Sequence, residues 1–221
     1  MRHSPLRLLS TFSLLLLLAG CSVRPELPAF TASGYLADRG VVRIWRKEVP
    51  PDTRHMMTVY TPFTGSGKQT TRYLWQEGKL VSIERQSIGE QPDSITLRFD
   101  QNGKVSFMQR QLQSHREALS ADAVALYQFD AGRMLRISDD LLTGRVLLRQ
   151  GHWAASGAIT SCQGSESRPD FDGYSLNTIT QHQRESGKPV SVAWLEAPEG
   201  TQLLLVTPED LCATEPKEAD L

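Results

Sequence analysis

Cysteine is scarce in this chain: three among 221 residues, at positions 21, 162 and 212. That count excludes a disulfide-dense scaffold, and the absence of Cys-x-x-Cys removes a thioredoxin-type pair and a zinc knuckle. An excess of one charge is also missing. Lys and Arg number 24 against 25 Asp and Glu, so there is no basic footprint for nucleic acid. Long apolar runs are absent apart from Leu8–Leu18, which Ser10, Thr11 and Ser13 interrupt. A permanent membrane helix needs roughly 20 apolar residues, so this run is too short to be one.

Chemistry-bearing motifs are equally thin. No Gly-x-Ser-x-Gly elbow occurs, and His55, His115, His152 and His182 are never spaced as a local metal pair. Thr64-Gly-Ser-Gly67-Lys68 looks superficially like a phosphate loop. Pro62 stands where the motif needs its first Gly, however, and Gln69 where it needs Ser or Thr. The segment reads as a loop between strands. No catalytic residue, cofactor or metal set is expected, and the chain reads as a non-enzyme.

What is present begins with the leader. Arg2 and Arg7 precede the apolar run, which ends in Leu18-Ala19-Gly20-Cys21. This stretch resembles the lipobox of bacterial lipoproteins. The resemblance implies a signal peptide over 1–20 and diacylglycerylation of the Cys21 thiol. Cleavage before Cys21 and acylation (palmitate) of the new amino group would follow, leaving 201 residues. It also implies sorting by the next residue: Ser22, not Asp, points to the periplasmic face of the outer membrane. Several acyl chains anchor durably, since each buried methylene adds about 0.8 kcal/mol. Losing Arg2 and Arg7 lowers Lys and Arg from 24 to 22 against 25 acids, a net charge of −3.

With Cys21 lipidated, Cys162 and Cys212 remain, and in an oxidising compartment they most simply form one disulfide. Residues 21–33, with Pro25 and Pro28, read as the lipidated Cys and a tether. Residues 34–213 read as a single periplasmic domain, and 214–221 as a disordered tail.

Within the domain the dominant pattern has a period of two. Ile95, Leu97 and Phe99 share one strand face, Asp100-Gln-Asn-Gly103 turns the chain, and Val105 and Phe107 are expected to resume that face. Val190, Val192 and Trp194 alternate in the same way. Leu203-Leu-Leu-Val206 is apolar on both faces and predicts a central strand. Gly40, Gly78 and Gly103 each open a strand-like run that ends near an Arg, as hairpins require.

One segment, 120–143, predicts a helix, with Ser120 as cap and Gly144 past its end. Ala123, Tyr127, Met134, Ile137 and Leu141 fall near one face, and Gly132 is a candidate break. A further hairpin is the competing reading of this segment. The fold class is therefore α+β, mainly antiparallel sheet built from meanders and hairpins.

Several stretches resemble the YjaH-like family of small bacterial lipoproteins, which carries a domain of unknown function. They are Phe30-Thr-Ala-Ser-Gly-Tyr35, Trp45-Arg-Lys47, Val59-Tyr-Thr-Pro-Phe63, Phe107-Met-Gln-Arg110 and Ala193-Trp-Leu-Glu-Ala-Pro-Glu-Gly200. The resemblance implies a single envelope domain and brings no activity, substrate or site residue. The expected role is a non-enzymatic accessory module, tethered to the membrane by lipid, binding an envelope protein or wall component. The competing readings are a hydrophobic-ligand carrier or sensor with a barrel-like pocket, and a periplasmic hydrolase. Trp45, Trp75, Trp153 and Trp194 lie in strand-like runs that favour packing over ligand lining. The adjacent pair His152 and Trp153 is the candidate pocket. Oligomeric state is left open.

Overall fold

A computed structural model describes residues 26–65 and 67–221. The leader, Cys21, Ser22 and the first part of the tether lie outside the described residues. The ordered domain begins earlier than position 34. β1 (Phe30–Ala37) already pairs along its whole length with β2 (Gly40–Val49).

The chain then continues as a meander: β3 (Thr53–Pro62), β4 (Lys68–Gln76), β5 (Lys79–Ile88), β6 (Asp93–Phe99), β7 (Val105–Leu112) and a short β8 (Arg116–Glu117). All eight strands form one antiparallel sheet in sequence order. Helix α1 (Ala121–Thr143) follows, then β9 (Leu147–Trp153), β10 (Ile159–Ser161) and β11 (Glu166–Ser167). Helix α2 (Gly173–Ser186) leads to β12 (Ser191–Ala197) and β13 (Gly200–Thr207). These five strands make a second antiparallel sheet ordered β11-β10-β9-β12-β13. The mainly antiparallel β class expected from the alternation is what the chain adopts.

Three apolar layers follow from the period of two. Val42, Ile44, Met56, Trp75, Ile83, Ile95 and Leu97 point to one face of the large sheet, where Val124, Ala131 and Met134 of α1 cover them. Val41, Trp45 and Val59 point to the other face. There they meet Leu148, Ala193, Leu195 and Leu204 of the second sheet. The second sheet's remaining face carries Trp153, Ile159, Val190, Val192 and Trp194 against Ile179 of α2. The order is thus helix, sheet, sheet, helix, with the two sheets sharing the middle layer. All four tryptophans are core residues, between 1% and 8% exposed.

Helix α1 runs unbroken through Gly132, because apolar burial on both sides of that glycine outweighs its helix cost of about 1 kcal/mol. Ser120 caps it, its side chain accepting from the Ala123 amide. The buried stripe is Val124, Ala131, Met134 and Ser138, with Tyr127, Ile137 and Leu141 beside it, and Ala123 is peripheral. Past its end the positive φ falls on Arg145 at 54° and not on Gly144.

Two expectations about strands are corrected. A bulge between Arg98 and Phe99 places Phe99 opposite Val105 but Arg98 opposite Phe107. The register slip turns Phe107 outward, 45% exposed under the Arg98 guanidinium. β13 is an edge strand, not a central one. Its leucines are apolar on both sides because both faces are covered, Leu204 by the large sheet and Leu203 by the α2 layer.

Residues 214–221 do not trail away. A turn of 3-10 helix spans Glu218–Asp220, Lys47 Nζ donates to the Glu218 carbonyl at 2.9 Å, and Leu221 packs beside the middle layer. With Pro208–Thr214 they form a strap across the end of the sheet interface. Cys162 and Cys212 are joined in a disulfide 50 residues apart in sequence, which pins the strap to the β10–β11 turn.

Charged groups also staple the meander. Arg46, 7% exposed on β2, reaches Asp139 and Ser138 of α1. Asp93 accepts from Arg85 Nη2 and from Arg110 Nε, each at 2.9 Å. Burial alone would raise the Asp93 carboxyl. The Arg85 charge and hydrogen bonds from Ser87, Arg110 and Arg85 outweigh burial and hold it below the usual carboxylate range. A depressed folded pKa stabilises above the unfolded value of about 3.9 and ceases to do so as pH falls through the folded one. Asp93→Asn is therefore expected to cost about 2 kcal/mol at pH 7 and much less at pH 3, measured by urea unfolding at both.

Candidate functional site

A groove of about 700 Å³ runs along the outer edge of β13. Seven consecutive residues, Thr201 to Thr207, line it. Consecutive side chains on a strand alternate between faces, so a groove touching all of them is presented with the strand's edge. β13 pairs with β12 on one side only, and among the described residues no strand occupies its other side. One wall is α2, through Asp172, Tyr174, Ser175, Thr178 and His182. The other is the corner of the large sheet, where Leu36, Phe63, Gly65, Gly67 and Lys68 contribute.

Local sequence explains each wall. Asp172 caps α2 by accepting from the Ser175 amide, and Gly187 ends the helix in the left-handed region. The helix therefore starts at the groove, with Tyr174 81% exposed beside it. Of the stretch that fails as a phosphate loop, Gly65 and Gly67 lie between β3 and β4 and line the rim together with Lys68, the first residue of β4. Lys68 pairs with Glu209 of the strap at 3.1 Å, across the groove from β4.

An edge strand is usually protected by Lys, Pro or a bulge. β13 has neither Lys nor Pro, and its one irregularity is the extra residue Leu204 opposite the Ala193/Trp194 step. That bulge sends both Leu204 and Leu205 toward the large sheet, and leaves Leu203 and Leu205 only half-buried beside the groove.

Arg43 also lines this groove and is unusual. It is 3% exposed between the two sheets, with its guanidinium 5.5 Å from the Trp45 ring. Nη1 donates to Gln150 Oε1 at 2.6 Å, while Nε is buried with no hydrogen-bond partner among the described residues. No carboxylate lies within ion-pair distance of Arg43 among the described residues. Burial lowers its pKa to about 10, against the raising influence of Glu209 and Glu215 at longer range. It remains a cation at neutral pH. Gln150 passes the connection on, donating to Glu215 at 3.0 Å, and Gln163 donates to the other Glu215 oxygen at 2.9 Å. Burial raises the Glu215 carboxyl, opposed by those two amides and by Arg43.

The sequence-predicted candidates lie elsewhere. His152 and Trp153 are neighbours on β9 and point to opposite faces. Trp153 sits in the α2 layer, and His152 lies under the strap, exposed. Trp153 borders a groove of about 800 Å³ with Leu176, Gln183 and Arg184 of α2, and His152 is not among its lining residues. His152 Nε2 is 3.5 Å from Asp210, and its Nδ1 is 3.5 Å from Ser191 Oγ. This row has the composition of a hydrolytic triad but not its access. Ser191 is 3% exposed and its hydroxyl accepts from the Leu211 amide. The ligand atoms of His152, Asp210 and Cys212 lie within 4.8 Å of one another, but the Cys212 sulfur is bonded to Cys162. His182 is the one histidine that lines the groove. Neither sheet closes on itself, so there is no barrel lumen among the described residues, and no described helix is long and apolar enough to cross a membrane.

Sequence reasoning missed the β13 edge and Arg43. The only signal was an apolar run lacking charge and Pro in a strand that one sequence cannot place at an edge.

Residues 32–217 match the family described as "Protein of unknown function (DUF1481)". The chain is 44% identical over 204 residues to "Uncharacterized protein YjaH" of Escherichia coli (strain K12), covering 92% of this chain and 88% of that protein. No solved structure matches it. The chain belongs to the DUF1481 family, a family of unknown function.

Proposed function

We propose that the chain is an envelope lipoprotein, anchored at Cys21 to the outer membrane and facing the periplasm, whose domain binds an extended segment of another envelope protein without catalysis. The observation that carries the binding role is the edge of β13, unpaired among the described residues and running the length of the groove. An incoming strand gains main-chain hydrogen bonds there, while its alternate side chains meet Leu203 and Leu205. A β13 of eight residues offers an edge of about 26 Å, long enough to register a segment of similar length. The leader and the Leu-Ala-Gly-Cys21 stretch support the anchor and its compartment.

The test is a photo-crosslinking residue at Gln202, exposed on the groove, in the full lipidated chain inside cells. One dominant protein adduct is expected, joined through an extended segment. The same probe at Gln86, on the exposed face of β5, should give none. Adding Lys at Leu205 should reduce the Gln202 adduct by about tenfold, because a charge beside an edge strand opposes strand addition. A lipid or glycan adduct in place of protein would replace this reading with the carrier one.

A further inference from the structure

A buried cation without a counter-ion is a costly thing to keep in a fold. Arg43 is such a group. It is held at 3% exposure by Trp45 and Gln150, and its Nε has no acceptor among the described residues. The nearby acids are engaged elsewhere. Glu209 is paired with Lys68, and Glu215 accepts from Gln150 and Gln163. The same side chain lines the groove beside the free edge of β13. On this geometry we propose that Arg43 is the anchor for a carboxylate of the bound segment. This rests on the groove being a strand-addition site.

The chemistry narrows the anion. The Nε edge of a guanidinium is one of the forks that match a planar carboxylate with two parallel hydrogen bonds. A dianionic phosphate would face Asp172 and Glu209 on the groove walls with a single guanidinium to offset it. A carboxylate carries one charge and leaves the Gln150 contact at Nη1 intact. It comes from either the C-terminus of the segment or an acidic side chain within it.

The experiment uses the full chain in detergent micelles and three probes built on an acetylated Leu-Val-Leu-Val peptide. One has a free C-terminus, one is amidated, and one is amidated with a central Glu. In the wild type the free acid or the Glu peptide is expected to bind about tenfold or more tightly than the plain amide. That advantage should vanish in Arg43→Gln. Arg43→Lys keeps the charge but loses the fork, so it should retain only part of it. Acetate should shift the Arg43 Nε–H nuclear magnetic resonance signal of the wild type saturably. An advantage for the free acid alone places the carboxylate at the terminus, and one shared with the Glu peptide places it on a side chain.

Equal binding of acid and amide by the wild type overturns the anchor, as does an advantage that survives in a folded Arg43→Gln. Binding of the amide in either case leaves the groove reading standing. If no peptide binds while acetate still shifts the Nε–H signal, the groove reading fails and the anion site remains. If Arg43→Gln does not fold, the Arg43→Lys comparison and the acetate shift decide alone.

Discussion

A Cys212→Ser chain is expected to lose about 4 kcal/mol of stability, because the bond it removes closes a loop of 50 residues. The entropy of that loop in the unfolded chain is only part of the argument. Leu211, 1% exposed in the middle apolar layer, and Glu215, bonded to Gln150, both sit on the strap that the bond secures. Without the bond, the strap is held by those contacts and the Leu221 packing alone. Guanidinium unfolding at pH 7 measures the loss. Cys162→Ser should match Cys212→Ser, and the double variant should be no worse than either, since all three remove one cross-link. Each single variant should titrate one thiol, while the lipidated wild type should titrate none, because the Cys21 sulfur is alkylated and Cys162 and Cys212 are joined. Two titratable thiols at 162 and 212 in the folded wild type would remove the bond and this prediction with it.

The second large effect concerns residues outside the described domain. Cys21→Ala removes the thiol on which the proposed lipidation depends. The chain should then retain its leader, and the mature form should vanish from the outer-membrane fraction. Ser22→Asp should instead leave processing intact and move the protein to the inner membrane. Mass spectrometry of the mature N-terminus and fractionation on a density gradient read both results. Normal processing of Cys21→Ala would sink the lipobox reading. The domain itself should fold in either variant, because its first strand, β1, starts at Phe30, nine residues after position 21.

Much of the fold was legible because period-two burial is a local property. Ile95, Leu97 and Phe99 are 2%, 0% and 7% exposed, and Val190, Val192 and Trp194 are 1%, 0% and 1% exposed, as their alternation requires. Ser120 capping α1 is likewise decided within one turn of chain. Non-local pairing is where legibility ended. A single inserted residue reversed Phe107, and no pattern within β7 announces a bulge whose partner is Arg98. β13 reads as a central strand because its composition reports covered faces, whereas edge status depends on which strand lies alongside. Arg43 sits between Val42 and Ile44 and alternates as a polar residue should on a solvated face. Only the second sheet, 107 residues later at Gln150, turns that face into an interior. The candidate site was therefore invisible in the sequence for one reason: each of its parts is defined by what another segment does or fails to do.

The position of β1 has a consequence for range of action. Phe30 lies nine residues beyond Cys21, and nine extended residues span at most about 30 Å. On the proposed anchoring of Cys21 in the inner leaflet of the outer membrane, the domain would be confined to a thin shell against that membrane and would not reach across the periplasm. Confinement of this kind raises the effective concentration of a ligand tethered in the same shell to the millimolar scale. A groove of modest intrinsic affinity is then sufficient for a partner that lives at the same surface, and it discriminates against soluble competitors by geography more than by contact.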